Sequence, residues 1–322
     1  MVRTVNREKK VISKFNFGDM NCIYELDEKE KLAGFYMIPA GMDSELMLEE
    51  KKYRINNLVQ VKLVGDNYPS AYGHGSSMRN SDSAQRLKYI SQEVEETEEK
   101  TIVITWLQDE RGYRAAHILT WYHGEESIEV YTKFENCSDK NIKLEMLTSF
   151  SLGNLTPFVR EDAPDTLLLH RLRSKWSHEG RLHTETIEDL QLEPSWSYYS
   201  VSSERYGQLG SMPVKKFFPF IAVEDKQNQV LWGAQLAHEA SWQLEAYRQD
   251  DCLHISGGLA DREFGHWMKT LEPGEALTTP KAILSVCRGD IDLLCHRLTE
   301  AGQKYVDQGP ESEQSLPVLF NE

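Results

Sequence analysis

The sequence predicts a mostly β protein built of packed antiparallel sheets. Three observations carry this. Apolar and polar residues alternate with period two over most of the chain; such runs are half-buried strands, because successive side chains of a strand point to opposite faces. Short turn signals at 109–112, 123–124 and 136–141 separate the runs, and short connections join antiparallel neighbours. Helical spacing is clear at one place, near the C-terminus.

In chain order, the first clear strand sets Ile102, Ile104 and Trp106 on one side and Thr101, Val103 and Thr105 on the other. The acidic run 93–99 before it reads as a solvated turn or strand end. Ile128, Val130, Thr132 and Phe134 share a face of a later strand, and Ile142, Leu144, Met146 and Thr148 share a face of another. Residues 213–224 and 230–236 read as a hairpin around a turn at 225–229. Its first arm holds Phe217, Phe218, Phe220, Ile221 and Val223, too continuously apolar for a one-sided strand, so it belongs at the centre with both faces covered. Gly233 and Ala234 leave room for close approach between sheets. After Gly289, Asp290 stands as a helix N-cap, and Ile291, Leu294, Cys295, Leu298 and Tyr305 follow helical spacing. That helix is expected to pack on the sandwich or on a further domain. A polar tether then leads to a fresh apolar run from Leu316 to Phe320, which reads as the beginning of another domain.

The chain has 322 residues, with 36 Lys plus Arg against 51 Asp plus Glu, a net charge of −15. So acidic a surface repels nucleic acid and anionic membrane. No run approaches the ~20 apolar residues of a membrane span, and the first twenty residues carry no apolar signal segment. Cys22, Cys137, Cys252, Cys287 and Cys295 are scattered and odd in number, which reads as buried, reduced thiols of a cytoplasmic protein. Neither their spacing nor the histidines suggest a metal site, the glycines form no phosphate loop, and no nucleophile–His pattern is present. No cofactor is expected.

Several runs are more specific. MPVKKFFPFIAVED at 212–225, WGAQL at 232–236 and SWQLE at 241–245 resemble the N-terminal domain of the α-galactosidase family (glycoside hydrolase family 36). So do LRSKWSHEGRL at 172–182, GGLADREFGHW at 257–267, LEPGE at 271–275 with Pro280, and the closing PVLFNE at 317–322. The resemblance covers most of the chain, in the family's order. It implies a large antiparallel β-supersandwich, galactose-mutarotase-like, over 1–289, a linker helix over 290–306, and over 307–322 a tether and the start of a (β/α)8 catalytic barrel. Related enzymes are retaining glycosidases acting on α-galactosides or α-N-acetylgalactosaminides. Their two catalytic aspartates stand on the barrel and have no counterpart here. The resemblance also implies homo-oligomers in which the loop at 66–80 reaches a neighbour's substrate site, making Tyr72, His74, Ser76, Ser77, Arg79 and Asn80 candidates for contact with a galactose-type carbohydrate. Where relatives with galactosidase activity carry an aspartate after the loop glycines, this chain has Ser76 and Ser77, a difference that admits N-acetylgalactosamine.

Trp176 and Trp267 are secondary sugar-stacking candidates, although a core tryptophan is the plainer reading of each, as it is of Trp196. Asp261, Arg262 and Glu263 read as a turn with an internal ion pair. Arg173, Lys175 and Arg181 could hold an anion or form salt bridges at a domain interface. Two other functions stay open. One is a stand-alone carbohydrate-binding module presenting Trp176, Trp196, Trp242 and Trp267; the other is an aldose mutarotase-like enzyme, which needs histidine and carboxylate groups converging in one cleft.

Overall fold

A computed structural model describes residues 9–48, 51, 53–67, 79–194, 201–212 and 214–314. In chain order these form β1 (Lys9–Phe17), β2 (Met20–Asp27), β3 (Leu32–Pro39), β4 (Val61–Leu63), α1 (Asp82–Arg86), β5 (Lys88–Glu96), β6 (Lys100–Asp109), β7 (Tyr113–Tyr122), β8 (Ile128–Asn136) and β9 (Ile142–Leu152). There follow β10 (Leu167–Arg173), β11 (Arg181–Thr186), β12 (Val201–Gln208), β13 (Phe220–Asp225), β14 (Val230–Ala237), β15 (Trp242–Gln249), β16 (Cys252–Leu259), β17 (Lys269–Leu271), β18 (Ala276–Thr278), β19 (Lys281–Arg288), α2 (Ile291–Asp307) and α3 (Glu311–Gln314).

The strands make three antiparallel sheets. One is β1-β2-β3; a ten-stranded sheet runs β11-β10-β13-β14-β19-β8-β7-β6-β5 with β18 also on β8; a six-stranded sheet runs β12-β15-β16-β9-β17 with β4 also on β9. One continuous apolar core draws on all three. The Trp232 indole N–H on β14 donates to the Met37 carbonyl on β3 at 2.7 Å, tying the three-stranded sheet to the ten-stranded one.

Alternation located the faces. On β6 the smaller set, Thr101, Val103 and Thr105, is buried with Leu107, and Ile102, Ile104 and Trp106 are half-buried outside. Ile128, Val130, Thr132 and Phe134 are all buried. The acidic run 93–99 is exposed at the β5–β6 turn. β13 is covered on both sides: Ile221 and Val223 enter the main core, and Phe220 and Ala222 meet a second cluster under α2. Its pairing begins at Phe220 opposite Gln235, later than the sequence suggests, because Pro219 has no N–H to give a ladder. Gly233 serves a different neighbour from the expected sheet. A Cβ there would lie 2.7 Å from Leu294 Cδ2, so the glycine seats the helix.

α2 packs on the outer face of the ten-stranded sheet through Leu294, Leu298 and Ala301. Asp290 caps it, its carboxylate accepting from the Leu293 N–H at 2.9 Å. Of the cysteines, Cys22, Cys252 and Cys287 are buried as expected, whereas Cys137 is exposed and Cys295 partly so. Cys137 sits in the turn after β8, where no layer covers it.

Candidate functional site

Tyr72, His74, Ser76 and Ser77 lie outside the described residues. The residues on either side of 68–78 are tied down. Before it, the Asp66 carboxylate accepts from the Leu63 N–H at 2.8 Å. Across it, the Asp82 N–H donates to the Asn67 carbonyl at 2.8 Å, so the two sides are bonded to each other. Ser81 caps α1, accepting from the Ala84 N–H at 3.1 Å.

Arg79 and Asn80 turn inward. The Arg79 guanidinium meets Glu245, Nε to Oε2 3.0 Å, with both side chains sealed from solvent. Asn80 adopts a left-handed conformation, φ 55°, which asparagine tolerates better than most residues. Its N–H donates to Gln60 Oε1 at 2.8 Å and its side-chain amide to Gln249 Oε1 at 3.4 Å. Both residues therefore hold the loop root against the six-stranded sheet.

The sheet face beneath them is polar and buried. Trp242, Leu244 and Ala246 of β15 and Leu253 and Ile255 of β16 point into the core. By alternation Gln243, Glu245, Tyr247, His254 and Ser256 point the other way, and all are buried. Tyr247 donates its hydroxyl to Asn56 Oδ1, and the Asn56 amide donates to Ser151 Oγ at 2.8 Å. His254 accepts at Nδ1 from the Asn154 N–H at 3.2 Å. Burial pushes its pKa down to about 3, so the ring stays neutral at ordinary pH. His117, in the core, is pushed down to about 3 by the same cause. Sequence reasoning missed this face, since polar alternation on β15 and β16 reads as solvent exposure. His254 and Glu245 share it, as mutarotase chemistry would ask, but solvent reaches neither in this structure.

Beside the loop root opens a cleft of about 460 Å³, bounded by Glu30, Arg54, Asp82, Gln85, Lys88 and Gln249 among others. Several of its charges are matched locally: Arg86 to Asp82 at 2.8 Å, Arg111 to Asp109 at 2.7 Å and Arg54 to Asp250 at 3.3 Å. Among the described residues its lining carries no histidine and no aromatic ring.

Among the described residues the tryptophans do not share a platform. Trp242 is fully buried and Trp267 is partly buried against the core, while Trp196 lies outside the described residues. Trp176 overturns the core reading: it is 93% exposed, in the connection between β10 and β11. The turn at Asp261 holds its ion pairs with distant partners instead of internally, Arg205 to Asp261 at 3.1 Å and Arg262 to Glu145 at 2.7 Å. Among the described residues no group of side chains could hold a metal ion, and no helix is long and apolar enough to cross a membrane.

No protein-family model and no curated protein matches the chain. Solved structures do. The α-galactosidase AgaA of Geobacillus stearothermophilus, a glycoside hydrolase of family 36 solved with raffinose, matches at a TM-score of 0.64 and 14% identity, over 90% of this chain and 42% of that one. The α-galactosidase of Lactobacillus brevis matches at 0.63 and 15%, over 90% of this chain and 41% of its own. AgaB of G. stearothermophilus matches at 0.59 and 14%, over 88% and 42%. The matched portion is the N-terminal part of these enzymes. The chain thus has the fold of that part, a mostly antiparallel β-supersandwich with a C-terminal helix, and spans 42% of AgaA's length.

Proposed function

We propose that this chain is the N-terminal, non-catalytic module of a cytoplasmic α-galactosidase-type retaining glycoside hydrolase acting on α-galactosides or α-N-acetylgalactosaminides. It works as scaffold, as homo-oligomer interface and as donor of the 66–80 loop. The observation that carries this is the likeness to AgaA over 90% of the chain. On this reading residues 1–289 are the sandwich, 290–306 the linker helix, and 307–322 the lead into a (β/α)8 barrel. The barrel, typically ~250 residues, supplies the two carboxylates that retaining chemistry holds ~5–5.5 Å apart. Tyr72, His74, Ser76 and Ser77 touch the sugar, while Arg79 and Asn80 fix the loop root; the inward hydrogen bonds of Asn80 support that division. Ser76 and Ser77, in place of an aspartate, leave room for an acetamido sugar beside plain galactose.

Two measurements test this. The purified 322-residue chain should leave 4-nitrophenyl α-galactoside and α-N-acetylgalactosaminide unhydrolysed above the buffer rate; enzyme-like turnover would contradict a non-catalytic role. The reading frame beyond the Glu322 codon should continue into a barrel with aspartates at strand ends, and a stop codon there would remove the catalytic partner.

A further inference from the structure

We propose that the two terminal hairpins of the ten-stranded sheet are complementary docking surfaces: the β10–β11 hairpin of one copy seats on the β5–β6 hairpin of a second copy of this chain. The choice of a second copy as partner rests on the homo-oligomer reading above.

β11 and β5 are the two terminal strands of one sheet. A terminal strand offers unpaired backbone groups to any chain that its side chains admit. The two hairpins carry opposite charge near their tips. Around the β10–β11 tip, Arg173, Lys175, Arg181, Lys215 and Lys216 are all exposed, and among the described residues none of them is ion-paired. The acids nearby are already engaged: Glu179 accepts from the Ser177 N–H at 2.9 Å, and Glu185 is bound by Arg171. This is a concentrated basic patch on a chain of net charge −15. At the other edge, Glu93, Glu95, Glu96, Glu98 and Glu99 are exposed and likewise without ion pairs among the described residues.

Apolar groups match as well. Trp176 stands 93% exposed at the basic tip, and the acidic strand β5 exposes Ile90 (56%) and Val94 (50%). Like hairpins exclude each other, since a β5–β6 tip against its own kind sets acid against acid and a β10–β11 tip against its own kind sets base against base. The unlike pairing remains, with Trp176 as the desolvated anchor inside a charged rim. Such a head-to-tail contact leaves one free edge at each end, so it closes as a ring or extends as a chain.

Sedimentation velocity of the full chain tests this, with circular dichroism confirming that each variant is folded. The wild type should associate at ~50 mM salt and dissociate toward ~1 M, where screening shortens to ~3 Å. Glu95→Lys/Glu96→Lys and Arg173→Glu/Arg181→Glu should each be monomeric alone, and an equimolar mixture should associate again, because the reversed edges match each other. Trp176→Ala should weaken association roughly 30-fold. A wild type that stays monomeric at low salt overturns this contact, whereas the oligomer reading, which concerns the protein with its barrel, falls only if that full-length protein is monomeric. An oligomer indifferent to both charge reversals overturns this contact alone.

Discussion

Arg79 and Glu245 form an ion pair with no access to water, Nε 3.0 Å from Oε2 and the side chains 0% and 1% exposed. Arg79 precedes α1 and Glu245 lies in the middle of β15, so the pair fastens the chain ahead of that helix to the heart of a sheet. A desolvated charge without its partner is costly, whereas removing both members is much less so. Arg79→Met should therefore lower unfolding free energy by roughly 3–5 kcal/mol, and Arg79→Met/Glu245→Leu should recover most of that loss. Urea midpoints read both. A double variant no better than the single would show that the pair is not the fastening.

Glu25 is a buried acid. It accepts from the Tyr53 hydroxyl at 2.8 Å and the Asn154 amide at 3.0 Å. Burial outweighs those bonds and pushes its pKa up to about 7. An acid raised on folding holds a proton that the unfolded chain has released, so stability falls as pH rises from about 4.5 through 7. Between pH 5 and 8 the wild type should lose roughly 3 kcal/mol that Glu25→Gln keeps. His117 and His254, buried neutral, act in the opposite sense from about pH 3 up to 6.5, so the readout is variant minus wild type. Parallel pH profiles for the two proteins would remove Glu25 as the cause.

Gly233 has little room for a side chain. Its added Cβ would meet Leu294 at 2.7 Å (Cδ2) and 3.1 Å (Cδ1 and Cγ). Gly233→Ala should cost about 1–3 kcal/mol by overpacking, and Leu294→Ala about 2–5 kcal/mol by leaving a void. The two changes act on one space, so the double variant should lose clearly less than the sum. Strict additivity would mean that α2 does not rest on β14 as described.

What the sequence made legible was local. Asp290 before a helical repeat and the unbroken apolar run in β13 need only their neighbours to be read, and both stand as expected. The run 241–245 carried the resemblance, but nothing in it states that Asn56 meets Tyr247 or that Arg79 meets Glu245 on the polar face of β15. Cover from far along the chain leaves no mark on the strand it covers. The same holds for Arg262 and Glu145, paired across 117 positions, and for the sheet order, in which β19 lies beside β8. Trp176 was misread for the converse reason: a tryptophan carries a strong prior for the core, and nothing in its own sequence run states that the hairpin tip stands clear of every layer.

The far end of α2 rests on an acid that should make its docking sensitive to low pH. Glu129, 2% exposed, accepts from the Tyr305 hydroxyl at 2.5 Å, from Lys281 at 2.9 Å and from Lys304 at 2.9 Å. Burial alone would raise its pKa, but the three donors outweigh burial and hold it below the ordinary carboxylate value. Asp19, bound by Arg297 of the same helix at 2.7 Å, is lowered as well, the guanidinium prevailing over burial. A carboxylate depressed on folding contributes fully above its unfolded pKa, and the contribution is lost as pH falls through the folded one. α2 should therefore loosen from the ten-stranded sheet as pH drops below about 4, before the sheets themselves melt. Hydrogen exchange of the Leu294 and Leu298 amides, expressed as protection over the intrinsic rate, reads this directly. At pH 6, Glu129→Gln should lower that protection roughly tenfold or more, since a charged acceptor is replaced by a neutral one facing two cations. The variant should also show a weaker acid dependence than the wild type; equal acid dependence in both would mean that Glu129 does not set the helix's hold.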